Sequence, residues 1–66
     1  MDFSKKAVDV LSELRGRGLT VEQALNEMRG MKLGLINVVK ALRAVEGMGL
    51  RDAVDLMDSR GDSKEF

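Results

Sequence analysis

The chain contains no Cys, His, Pro, Trp or Tyr. Without cysteine there is no disulfide framework, and without cysteine and histidine the usual zinc ligand sets are gone. The same two absences remove the commonest general base and the most nucleophilic side chain. A cysteine-free composition fits a reducing, cytoplasmic setting. Phe3 and Phe66 are the only aromatics, so a core must be packed with Leu, Val, Ile, Ala and Met. No apolar run approaches the length of a membrane span. No apolar stretch follows Lys5 and Lys6, so no signal peptide is expected. The helices also lack the bulky aromatic anchors of interfacial membrane binders. Neither metal nor cofactor is expected.

What remains is ordinary for a small globular domain. The 66 residues are 44% hydrophobic and 33% charged, which separates the body of the chain from disordered sequences. That length allows one domain with a modest core, for which a second copy of the chain would be the natural external support. Formal net charge is zero, unlike a strongly electrostatic nucleic-acid binder. The charge is unevenly placed. Residues 1–43 carry eight Lys/Arg against five Asp/Glu, and residues 44–66 carry three against six.

Apolar spacing predicts four helices and no sheet. The first spans about Ser4 to Arg15, with Ser4 as N-cap and Ala7, Val8, Leu11 and Leu14 as its stripe. Gly16 and Gly18 end it. The second opens on the capping box Thr20-Val21-Glu22-Gln23 and buries Val21, Ala24, Leu25 and Met28. Gly30 stops it. The third runs from about Leu35 to Glu46. Leu35, Ile36, Val38, Val39, Leu42 and Val45 give it a broad apolar face suited to the centre of a core. The fourth runs from about Arg51 to Ser59. The expected organisation is all-α: one domain over residues 1–60, with hairpins at 4–30 and 35–59, and a flexible polar tail at 61–66.

The hairpins share a pattern. Residues 7–19 align with 38–50 at an offset of 31, pairing Leu11 with Leu42, Gly16 with Gly47, Gly18 with Gly49 and Leu19 with Leu50. The repeated unit is helix, Gly-x-Gly-Leu turn, short helix, with the Leu expected to plug the gap between the helices. After the turn the offset is 29, pairing Ala24, Leu25 and Met28 with Ala53, Val54 and Met57. Such a pattern is what an internal duplication leaves.

The second copy reads Val38-Val39-Lys40-Ala41-Leu42-Arg43-Ala44-Val45-Glu46-Gly47-Met48-Gly49-Leu50-Arg51-Asp52-Ala53-Val54-Asp55-Leu56-Met57. It resembles the C-terminal domain of the bacterial ribosomal stalk protein, which carries a run like Val-Ile-Lys-x-Val-Arg-x-x-Thr-Gly-Leu-Gly-Leu-Lys-Glu-Ala-Lys-x-Leu-Val. The resemblance covers about a third of the chain. In that family the hairpin docks translational GTPases through an apolar and basic helix face. By position, the resemblance implies a partner-binding set of Ile36, Val39, Lys40, Arg43, Leu50 and Arg51. Two departures touch that face, since Leu35 and Val54 stand where the family keeps lysines. Glu46 replaces the family's Thr. The family domain also interleaves its helices with strands, for which this chain offers no segment.

These features point to a small non-catalytic interaction module, an accessory, regulatory or inhibitory factor that binds a partner protein through the second hairpin. By resemblance a translational factor is one such partner. The alternative is a dimeric helix-turn-helix DNA-binding regulator. Residues 19–25 would then form its opening helix, and Asn37, Lys40 and Arg43 would read DNA from the third. The connector of residues 29–34 is long for that motif. An enzyme is not expected, because every carboxylate falls at a cap or a solvent-facing position. Gly47-x-Gly49 lacks the preceding strand and following Lys-Ser/Thr of a phosphate loop.

Overall fold

A computed structural model describes residues 2–66. The chain forms α1 (Phe3–Gly16), α2 (Val21–Met28), α3 (Leu35–Glu46), α4 (Leu50–Arg60) and a turn of 3-10 helix at Ser63–Glu65. Among the described residues there is no strand. The architecture is all-α, with α1 packed on α2, α3 packed on α4, and the two hairpins joined mainly through α1 against α3.

The helices form where caps and apolar spacing agree. At α1 the cap is Asp2 and not Ser4. The Asp2 carboxylate accepts from the amides of Ser4 (3.0 Å) and Lys5 (3.3 Å), and the Ser4 hydroxyl donates to the same oxygen. A carboxylate at this place satisfies orphan amides and complements the helix dipole. At α2 the capping box is complete. The Gln23 amide donates to the Thr20 hydroxyl at 3.1 Å, and the Thr20 amide donates to the Gln23 side-chain oxygen at 2.9 Å.

The core follows most of the paired positions, an exception being buried Leu25 against exposed Val54. Ala7 and Val38, Leu11 and Leu42, Ala24 and Ala53, Met28 and Met57 are all buried. One ion pair, Arg15 Nε to Glu46 Oε2 at 2.9 Å, joins two residues that the offset of 31 also matches. The long helix of one hairpin therefore packs on its counterpart in the other.

The two Gly-x-Gly-Leu turns differ in backbone geometry despite their shared letters. In the first, Gly16 ends the helix and Gly18 takes a positive φ of 94°. The Gly18 amide donates to the Arg15 carbonyl and the Leu19 amide to the Leu14 carbonyl, which together make a Schellman cap. In the second, Gly47 takes the left-handed conformation and Gly49 is extended (φ −69°), acting as the N-cap of α4. The leucines differ as well. Leu19 is half-buried, whereas Leu50 is 56% exposed and plugs nothing.

Residues 61–66 do not form the expected flexible tail. Phe66 is only 8% exposed and belongs to the core cluster. Its main-chain oxygen accepts from the Gly34 amide at 2.6 Å, and that of Glu65 accepts from the Gly30 amide at 3.4 Å. A large aromatic and a guanidinium with several acceptors in reach outweigh the polarity of Asp62-Ser63-Lys64-Glu65. No helix is long and apolar enough to cross a membrane.

Candidate docking groove

α3 meets the core with Val38, Ala41 and Leu42. Its expected broad apolar face is wider than the core it meets. Ile36, placed by spacing among the core residues, is 72% exposed, and on α4 Val54 is 39% exposed. Between these helices runs a furrow of about 240 Å³ lined by Leu35, Ile36, Val39, Lys40, Arg43, Leu50 and Val54. Val39 is buried and forms part of its floor. From Ile36 to Arg43 the α3 wall rises about 10 Å, two helical turns.

Five of the six positions implied by the stalk-protein resemblance line this furrow: Ile36, Val39, Lys40, Arg43 and Leu50. Arg51 does not line it, although it is exposed and next to Leu50 in the chain. Leu35 and Val54 complete the walls. Transfer by position from the family passed over both, because lysines stand there in the family. Their signal in this sequence is simply that they are aliphatic where a hairpin with a solvated outer face would carry polar residues.

The arginines of this face differ from the other arginines. Arg15, Arg17, Arg29 and Arg60 are each paired with a carboxylate. Arg43 and Arg51, at and beside the groove, have no such partner among the described residues, and neither does Lys40. No carboxylate lines the groove. The offset of 31 gives an internal comparison. Where the second hairpin has Ile36, Lys40 and Arg43, the first has Lys5, Asp9 and Ser12. The two hairpins share a core pattern, and only the second carries an apolar, cationic outer face.

Two larger depressions lie on the first hairpin. One, of about 460 Å³, is lined by Arg17, Gly18, Leu19, Gln23, Asn26 and Glu27. The other, of about 330 Å³, is lined by Val10, Glu13, Leu14, Arg17, Glu27 and Met31. Both are lined by Arg17, which is held by Glu13 at 2.7 Å. The second has Met31, 44% exposed, beside half-buried Val10 and Leu14, but Glu27 lines both. The smaller groove has more exposed aliphatic wall and no carboxylate, and is the better candidate.

The residues considered for reading DNA are only partly presented. Lys40 and Arg43 are exposed. Asn37 instead donates its side-chain amide to the Leu33 carbonyl at 2.6 Å, closing the connector onto the start of α3. Among the described residues no group of three or more acidic side chains is placed to hold a metal ion.

No family model matches this chain, and no curated protein or solved structure matches it significantly.

Proposed function

We propose that the chain is a protein-interaction module whose second hairpin docks a partner protein in the α3–α4 groove, and that it acts as an accessory, regulatory or inhibitory factor. The observation that carries this reading is the combination of uncovered aliphatic side chains with arginines that have no carboxylate of their own. Ile36, Leu50 and Val54 are all substantially exposed, and a contiguous apolar face on a monomer marks a contact surface. The unpaired Arg43 and Arg51, together with Lys40, select a partner segment that brings carboxylates beside its apolar residues. The two-turn length of the groove suits a short amphipathic helix.

The groove is small. Burying three partly exposed aliphatic side chains contributes about 3–4 kcal/mol before the costs of association, which places the contact among transient interfaces. The resemblance to the stalk-protein hairpin supports the same face. On that ground a translational factor is one partner class, in a cytoplasmic setting.

The test is a photocrosslinking side chain at position 36, followed by affinity measurements on the partner it captures. Ile36→Asp and Leu50→Asp should each weaken binding at least tenfold. Lys40→Glu with Arg43→Glu should weaken it by an amount that shrinks as salt rises. Glu27→Gln on the first hairpin should change nothing. Affinity untouched by both aspartate variants would refute the groove as the docking face.

A further inference from the structure

The groove lies in a hairpin that is closed at both ends. At one end Gly47–Gly49 links α3 to α4 covalently. At the other, residues 60–66 return from the end of α4 to the residue that starts α3. The Gly34 amide donates to the Phe66 main-chain oxygen at 2.6 Å, and Gly34 immediately precedes Leu35 and Ile36 of the groove wall. No side chain caps the first turn of α3. Its start is held by this bond, by Asn37 on the Leu33 carbonyl and by the burial of Leu33.

The returning segment is anchored with unusual density for so polar a sequence. The Arg60 side chain is 6% exposed. It donates to both carboxylate oxygens of Asp62 (3.1 and 3.0 Å), to the Asn26 side-chain oxygen (2.6 Å) and to Glu22. Arg29 reaches the same Asp62 from α2's end at 2.9 Å. The Arg60 guanidinium carbon lies 5.9 Å from the Phe66 ring centroid, within cation–π range. A fully made set of charge-assisted bonds on a mostly covered arginine fixes one geometry, and removing one member leaves the others without partners.

The geometry points to residues 60–66 as a clasp that sets the shape of the groove. Seated, it fixes the end of α4 relative to the start of α3. Released, it leaves the two walls tied only by the Gly47–Gly49 turn and their own packing. Seating of Phe66 and occupancy of the groove are then coupled, and each strengthens the other by the same factor. This coupling rests on reading the groove as a docking face, but the shape dependence does not.

The test therefore uses the full chain without a partner. In Phe66→Ala, the Gly30 and Gly34 amides should exchange with solvent at least tenfold faster. Nuclear Overhauser contacts between the Leu35 and Val39 methyls and those of Val54 should weaken. The Leu11 and Leu42 amides, in the α1–α3 core, should keep their protection. Phe66→Leu, which leaves an aliphatic plug but no ring for Arg60, should show the same pattern more weakly. Fast exchange at Gly34 with unchanged groove contacts would overturn the clasp. So would unchanged exchange at Gly34, or loss of core protection in both variants, which would make residues 60–66 an ordinary part of one cooperative core. Partner affinity enters none of these readings, so the clasp and the docking face fail separately.

Discussion

Asp62 sits between two guanidinium groups, from Arg60 and Arg29. The hydrogen bond from Arg60, and then that from Arg29, hold its carboxyl below the ordinary value of 3.8, against the raising effect of burial. Asp2 is lowered too, by its bonds from the Ser4 hydroxyl and the Lys5 amide. A carboxyl depressed in the folded state contributes stability that is complete above its unfolded pKa and lost as pH falls through the folded one. Asp62→Asn should therefore be less stable than the wild type at neutral pH. The gap should close as pH drops below the usual carboxylate range, measured by denaturant titration at several pH values. A gap that persists in acid would mean that Asp62 acts through shape and not charge. Little of this was legible in the sequence. Arg60 and Asp62 are near neighbours in the chain, but Arg29, Asn26 and Glu22 lie more than thirty positions away, and helical spacing carries no information at that range.

The turns show where pattern and geometry part. Helix existence was readable because the caps are local. The Thr20 and Gln23 side chains satisfy each other's amides within four residues, and α3 occupies the range its spacing predicts. The repeated Gly-x-Gly-Leu was readable as a turn signal but not as two different turns. Which glycine takes the positive φ depends on where the preceding helix unwinds, and α1 continues through Gly16 whereas α3 stops at Glu46. This predicts opposite responses at the matched positions Gly16 and Gly47. Gly18→Ala and Gly47→Ala should each cost about 1 kcal/mol, because a Cβ is strained at positive φ. A Cβ at Gly16 or Gly49 would meet nothing within 4 Å. Gly16→Ala should then be neutral to slightly stabilising, by up to about 0.5 kcal/mol, whereas Gly49→Ala should cost about 0.5–1 kcal/mol because alanine is a poorer N-cap than glycine. Thermal unfolding of the four variants checks the pattern, and equal costs at Gly16 and Gly18 would contradict it. The groove was partly legible for a related reason. Ile36 and Val39 both fit the apolar spacing of α3, but spacing cannot tell the floor of a groove from its uncovered rim.

Taken entire, the molecule measures 25 × 24 × 19 Å and has little stability to spare. A domain of this length carries roughly 3–10 kcal/mol. Leu42 is fully buried where α3 contributes to the core, so Leu42→Ala should cost about 3 kcal/mol, a large share of that total. Ile36→Ala, at a side chain 72% exposed, should change stability by less than about 0.5 kcal/mol. The two substitutions remove aliphatic groups from the same helix, and chemical denaturation should separate them cleanly. If Ile36→Ala proves as costly as Leu42→Ala, the groove is core and not surface. The ties of residues 60–66 carry a further consequence, one of timing. They join Arg60 to Glu22 and Asn26, Asp62 to Arg29, and Phe66 to Gly34, all across long stretches of chain. The α1–α3 core uses none of these groups, so both hairpins can collapse on each other while these ties are still unmade. A chain truncated after Arg60 would display the aliphatic wall of α3 with its starting turn unfastened, and the mature contour of that wall forms only when residues 61–66 seat against it.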